Sequence, residues 1–256
     1  MDSVTIRALP GIPDIRPGDD LAAIIGDALD RHAPPRAGDV ICVAQKVFSK
    51  AEGRVLALAD IRPSRSARRY GAELNKDPRK VEAVLRESRQ VVRAFRHPGQ
   101  DSGTMICEHR LGFICANAAV DESNTDTPDT VILLPEDPDA SAASLCAALQ
   151  ARFGQTLAVV MTDTFGRPWR IGQVNVAIGL SQLPATRREQ GQEDAWGRKL
   201  AVTEPALADE IAAAAGLVMH KAAKTPVVVV RGLDWQPRPQ ARARDLLRPV
   251  KEDTFR

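Results

Sequence analysis

Aromatic side chains make up only 4% of this 256-residue chain, too few for the stacking platforms on which single-stranded nucleic-acid binders depend. Neither sign of charge is in excess: the formal net charge is +2, so no field of its own would draw the protein to nucleic acid or to a membrane. Cysteine is scarce and dispersed (Cys42, Cys107, Cys115, Cys146), with no C-x-x-C pair. Cys42, Cys107 and Cys115 stand inside apolar runs, where cysteine packs as a small hydrophobe, which argues against a zinc ribbon or a dithiol redox centre. The histidines (His32, His97, His109, His220) are scattered, and there is no H-E-x-x-H pattern. Also missing are the phosphate loop G-x-x-x-x-G-K-[ST], the dinucleotide fingerprint G-x-G-x-x-G and the hydrolase elbow G-x-S-x-G. No apolar run approaches membrane-spanning length, and the N-terminus has neither a basic region nor an apolar one behind it. The cytoplasm is therefore the expected location.

What is present is an ordinary globular composition, with 44% hydrophobic residues, enough to bury a good core. Val4–Leu9 reads as a strand, followed by the turn-rich Pro10-Gly11-Ile12-Pro13-Asp14. Leu21, Ile24, Ile25, Ala28 and Leu29 recur at helical spacing, which predicts a helix from Asp20 to about His32. Val40–Ala44 is a short buried strand. Helices fit Ser64–Leu74 and Pro78–Ser88, the second with proline in its first turn. Strands are expected between Val91 and Ala118, and a helix opens at Asp137 and runs through Leu149. Leu157–Met161 is an apolar strand, Thr162–Gly172 a loop, and Val174–Ile178 another strand. A helix over about Pro205–Met219, a buried strand at Pro226–Val230 and a partly extended Arg/Pro-rich tail complete the chain. Strands and helices mix without strict βαβ alternation, so the fold class is α/β or mixed α+β rather than a doubly wound Rossmann sheet.

Three segments carry candidate chemistry. In Met161-Thr162-Asp163-Thr164-Phe165-Gly166-Arg167-Pro168-Trp169-Arg170 an apolar strand gives way to a carboxylate, two hydroxyls and two arginines. Ends of buried strands present reacting groups, carboxylate and hydroxyl oxygens suit Mg²⁺ or Mn²⁺, and guanidinium groups neutralise phosphate or carboxylate. By residue types alone, a helix cap or turn at Asp163-Thr164 is the slightly better account. In Asn117 to Asn124, Asp121 again follows an apolar strand. Two such carboxylates could share a metal site, although a solvated Asx-turn also fits. In Ala44-Gln45-Lys46-Val47-Phe48-Ser49-Lys50, two lysines four apart could reach a nucleotide's phosphates or form a solvated basic face.

Taken together these segments resemble one family, the coenzyme F420-0:L-glutamate ligases. The matching stretches are Pro17-Gly18-Asp19-Asp20-Leu21, Ala44-Gln45-Lys46, Ser49 to Arg54, Asn117 to Asn124, Leu133 to Ala142, Thr162 to Arg170, Asn175 to Gly179, Ala208 to Ala212 and Val230 to Leu233. The resemblance implies one ligase domain over 1–256 with the distinctive fold of that family, forming an intertwined homodimer. The flavin-binding reductase-like extension of some actinobacterial relatives would be absent. It implies a GTP-dependent amide ligase, using Mg²⁺ or Mn²⁺ and leaving room for K⁺, that joins L-glutamate to coenzyme F420-0 through an acyl phosphate and extends the tail by gamma linkage.

Carried over by position, Asp121 and Asp163 would hold one metal and Thr164 a second, with Asp163 and Lys50 catalytic. The nucleotide pocket would comprise Ile12, Pro13, Asp14, Ile15, Gln45, Lys46, Lys50 and Asn124, closed by Met219, His220 and Lys221. Arg167 and Arg170 would bind substrate. The chain departs from the family pattern at Ala119, where many relatives have glycine. It departs again at Lys221, where some archaeal relatives have a glutamate ligand that protonated lysine cannot replace. The alternatives are the same chemistry on another carboxylate, or a non-catalytic nucleotide-binding relative, against which the retention of Asp121, Asp163, Thr164 and Lys50 speaks.

Overall fold

The computed structural model describes residues 3–123, 127–219 and 224–253. Its centre is a five-stranded sheet built from β1 (Thr5–Ala8), β2 (Val40–Ala44), β8 (Ala158–Arg167), β9 (Arg170–Ser181) and β10 (Val227–Arg231). The order is β1-β10-β2-β8-β9, with β2 and β8 parallel and the other pairs antiparallel. Central strands β2 and β10 are apolar along nearly their whole length, as strands covered on both faces must be. A three-stranded antiparallel sheet, β4 (Ser88–Phe95), β5 (Thr104–His109) and β6 (Ile114–Ala116), forms a smaller layer, and β3 (Val55–Ala57) pairs with β7 (Thr130–Ile132). The fold is therefore mixed α/β.

The helices begin where capping chemistry starts them. The Asp20 side chain accepts from Ala23 N ahead of α1 (Leu21–His32), and Ser64 accepts from Ala67 N ahead of α3 (Arg65–Leu74). Asp77 and Asp137 cap α4 (Pro78–Arg86) and α5 (Pro138–Phe153), each with proline in the first turn. Helix α5 packs on β8 and β9, whereas α6 (Leu207–Gly216) crosses β9, β1 and β10. The first-turn acid of each reaches the outer edge of β9: Asp139 accepts from Leu180 N at 2.8 Å and Asp209 from Ala177 N at 2.9 Å. Two half-buried aspartates thus satisfy backbone donors that an exposed sheet edge would leave open. Where α5 meets this strand, a Cβ on Gly179 would lie 2.5 Å from the Pro138 carbonyl oxygen, so only glycine fits.

Four departures from the sequence reading matter. Thr162–Gly172 is not a loop: β8 runs on to Arg167 and pairs with β9 from Arg170, making a long hairpin. Its polar, glycine-containing residues carry no apolar alternation because this arm leaves the core, and the cross-strand ladder holds it extended. Gln45–Ala51 forms a helix, α2, directly after β2, and the short β3–β7 pair was not anticipated. The tail is held by short 3₁₀ turns at Ala243–Leu246 and Val250–Glu252, with Ala241 and Ala243 buried.

A buried ionic network ties the small sheet to the rest. Arg54 Nη2 lies 3.2 Å from Glu87 Oε1, and Arg110 Nε donates to Glu87 Oε2 at 3.1 Å. His109 Nδ1 accepts from Leu111 N, which puts a proton on Nε2, 3.3 Å from the same carboxylate. Burial pushes the Glu87 carboxyl up, but His109, Arg110 and Arg54 outweigh it and bring it down to about 2. A carboxyl depressed on folding contributes stability above its unfolded value that disappears as pH falls through the folded one. Glu87→Gln should therefore cost about 3 kcal/mol at neutral pH, because it removes the buried carboxylate charge that Arg54, Arg110 and His109 surround. In urea unfolding, the gap to the parent should narrow below about pH 4.5 and close near pH 2. A gap independent of pH would contradict this account.

Candidate active site

Strand register places the site. Ala44, the last residue of β2, pairs with Thr162 of the parallel strand β8, so the carboxyl ends of both strands lie side by side. This is where open α/β sheets bind ligands. From one end α2 begins at Gln45, and from the other Asp163 and Thr164 follow. Between Met161 and Thr162 the β8–β9 register slips by one residue, leaving Ile178 without a partner. A bulge at such a point re-aims the side chains beyond it.

The cavity at these strand ends measures about 1090 Å³. Its walls hold Ile12, Pro13, Asp14 and Ile15 from the first turn, and Gln45, Lys46 and Lys50 from α2. Asn117 and Asp121, Thr162, Asp163 and Thr164 from β8, Asn175 from β9, Met219 and Lys224 are among the others. Lys46 and Lys50 are one helical turn apart and so share a face of α2. The site residues inferred from sequence thus come together from distant parts of the chain. Asn124, His220 and Lys221 lie outside the described residues. Arg167 and Arg170 do not line the cavity: they stand exposed at the hairpin end, where Arg167 Nη2 donates to Ile171 O at 2.6 Å.

Asp121 is held by its neighbours on every side. Its backbone exchanges two hydrogen bonds with Ile132, N to O at 3.0 Å and O from N at 2.8 Å. Oδ1 accepts from Ser123 N at 2.7 Å, so the Asx-turn foreseen as the bland alternative is real. It coexists with an ion pair: Lys46 Nζ lies 2.7 Å from Oδ2 and donates to Ser123 O at 2.9 Å and to Ser123 Oγ. Burial raises the Asp121 carboxyl, but Lys46 and the Ser123 donors reverse that and hold it below the usual carboxylate range.

The chain reaches Asp121 through three consecutive residues in the left-handed region, Asn117 (φ 51), Ala118 (φ 48) and Ala119 (φ 55). Each non-glycine residue there costs about 1–2 kcal/mol, so packing of the buried Ala118 and Ala119 must offset the strain. Among the described residues, the buried Asn117 Oδ1 atom has no hydrogen-bond partner.

Asp163 stands beside β6. Burial first, and then the Asp163 charge, push the Cys115 thiol up to about 12, so this cysteine is inert. A Phe113–Phe165 edge contact with centroids 6.1 Å apart fastens the arm there. At the far rim the Asp14 carboxyl is lowered chiefly by the hydrogen bond from Lys224 Nζ, at 2.9 and 3.1 Å, then by its charge, with Lys50 contributing at longer range.

Among the described residues no three His, Cys, Asp or Glu side chains gather in a metal-binding group. The cavity instead offers three carboxylates, Asp14 (paired with Lys224), Asp121 and Asp163, with the Thr164 hydroxyl and neutral amide oxygens. That all-oxygen set fits Mg²⁺ or Mn²⁺, which commonly take one or two protein carboxylates and complete their shell from water and substrate phosphate. Sequence reasoning assigned no role to Asn175 or Lys224. A lone amide in the otherwise apolar Val174–Ile178 was the available signal for the first.

Residues 11–232 match the family model described as F420-0:Gamma-glutamyl ligase. The chain is 41% identical to the coenzyme F420:L-glutamate ligase of Methanothermobacter thermautotrophicus, over 99% of both chains. It is 43% identical to that of Methanopyrus kandleri, over 100% of this chain and 99% of the other. To the Methanosarcina mazei protein of the same name it is 36% identical, over 97% of this chain and 94% of the relative. With the family model covering most of its length and relatives aligned nearly end to end, the chain belongs to the F420-0:gamma-glutamyl ligase family and is a ligase.

Proposed function

We propose that the protein joins the amine of L-glutamate to the terminal carboxylate of coenzyme F420-0, driven by GTP, and extends the product through gamma-linked glutamates. The observation that carries this reading is the convergence of Asp121, Asp163, Thr164, Lys46 and Lys50 on one cavity large enough for a nucleotide and an acceptor tail. The names of the full-length relatives supply the acceptor and the amino acid.

In this reading a carboxylate oxygen of the acceptor attacks the γ-phosphorus of GTP, and GDP leaves with the bridging oxygen. The amine then attacks the acyl carbon. Phosphate departs with the former carboxylate oxygen, and the amine gives up its proton. Asp121, Asp163 and Thr164 would hold Mg²⁺ or Mn²⁺, which when bound neutralises phosphate oxygens. Lys46 and Lys50 neutralise the nucleotide's phosphates as mobile point charges. Lys46 is already charged and desolvated against Asp121, so it needs only to turn from a carboxylate oxygen to a phosphate oxygen. Ile12, Pro13 and Ile15 shield the nucleotide from water. We place the reaction in the cytoplasm, where GTP is available.

We further read the protein as a homodimer. The hairpin tip exposes Trp169 at 80% and Ile171 at 100%, and the following segment exposes Trp196 and Val202, apolar area that a second copy would cover. Light scattering should give twice the 27.7 kDa chain mass, and a mass of one chain would contradict the dimer.

Incubation with GTP, Mn²⁺, L-glutamate and F420-0 should add one or more glutamyl units to the acceptor, read by mass spectrometry. Asp163→Ala should lower the rate by about 10²–10³-fold while leaving the melting temperature within a few degrees, because the carboxylate is outside the core. Turnover of GTP only with a different carboxylic acid would replace the acceptor in this reading. Near-normal activity of the variant would remove Asp163 from it.

A further inference from the structure

Thr164 and Asn175 stand directly opposite each other in the β8–β9 ladder, and both line the cavity. The Thr164 hydroxyl oxygen lies 2.9 Å from Asn175 Oδ1. On the other side of the amide, Asn175 Nδ2 lies 3.7 Å from the Met219 sulfur, which also accepts from Thr162 Oγ1 at 3.7 Å. A thioether carries no proton, so the edge of Asn175 facing Met219 must be the donating NH₂. The edge facing Thr164 is then the carbonyl oxygen, and the hydroxyl must donate to it.

That assignment has a chemical consequence. A hydroxyl has one proton and two lone pairs, and the single proton of Thr164 is committed to the strand partner. What remains toward the cavity is acceptor capacity, suited to a cation and unsuited to donating to a phosphate oxygen. The place of Asn175 is itself enforced. A Cβ on Gly216 of α6 would come within 3.2 Å of both Cγ and Nδ2 of Asn175, tighter than ordinary packing. Two residues further along β9, Asp209 of the same helix accepts from Ala177 N at 2.9 Å and holds the strand against α6.

We propose that Asn175 is a positioning residue that turns Thr164 into a cation ligand, with Gly216 leaving the room it needs. This rests on the proposed metal role of the cleft and adds to it a residue acting through Thr164 rather than on substrate. Partners of this kind change metal affinity by about 10–100-fold when removed.

The test is Mn²⁺ alone titrated into the full chain, with free Mn²⁺ followed by electron paramagnetic resonance and folding checked by thermal melting. Asn175→Ala should weaken binding by about 10–100-fold, and Asn175→Asp, which keeps the acceptor, should bind at least as tightly as the parent. Gly216→Ala should weaken binding in the same direction. In a Thr164→Ala background the Asn175→Ala change should add nothing, because the two residues act as one unit. Parent-like affinity of Asn175→Ala, or full additivity with Thr164→Ala, would overturn the proposal while leaving the metal site standing. No Mn²⁺ binding by the parent would remove the metal site, and the proposal with it. If Asn175→Ala fails to fold, the Asn175→Asp and Gly216→Ala titrations decide the matter.

Discussion

Everything at the site follows from the single parallel pairing in the main sheet, β2 against β8. Antiparallel neighbours would send consecutive carboxyl ends to opposite edges. The parallel pair brings Ala44 and Thr162 into register, so the residues after each emerge at one edge. The strands are apolar along that register and fully covered, so a one-residue slip would turn core side chains toward the wrong layer. Fixing the core thereby fixes the distance between α2, with its two lysines, and the Asp163-Thr164 pair. Arg231 locks the other end of this arrangement through a two-pronged contact with buried Asp39, at 2.8 and 2.7 Å.

The cleft is a balance of charges in a partly desolvated space. Asp121 and Asp163 add negative charge to the same cavity; Lys46 answers Asp121 at 2.7 Å, while Lys224 and, at longer range, Lys50 answer Asp14. Asp121 reaches its place through strained left-handed backbone, which marks the position as one maintained against local preference. Its carboxylate stays ionised because Lys46 and Ser123 outweigh burial. The pair is a stored arrangement: a cationic side chain already lies where positive charge is wanted, and exchanging one oxygen partner for another costs little reorganisation.

The parts of this picture that repeat a local rule were legible in the sequence. Asp20, Ser64, Asp77 and Asp137 announce their helices, and the apolar runs at Val40–Ala44 and Val227–Val230 could only be buried strands. Family motifs located Asp121, Asp163, Lys46 and the Ile12–Ile15 turn, all of which the fold brings into one cavity. What could not be read depends on pairing across the chain. The arm beyond Thr162 looks like a loop because its hydrogen bonds come from β9 and not from its own composition. The role of Asn175 depends on a cross-strand partner, a sulfur from beyond α6 and a glycine that stays clear, none of them visible in its own segment. The exposed ends of Arg167 and Arg170 are likewise a matter of where the hairpin points.

The central claim is that this cleft activates a carboxylate by phosphorylation before an amine attacks it. It is tested most directly by supplying F420-0 labelled with ¹⁸O in its terminal carboxylate, together with GTP, Mn²⁺ and L-glutamate, and recording the ³¹P spectrum of the phosphate released. The account predicts that the phosphate released as the first glutamate is joined carries one labelled oxygen from the acceptor, seen as a small upfield shift. A first amide bond formed with release of wholly unlabelled phosphate would contradict it.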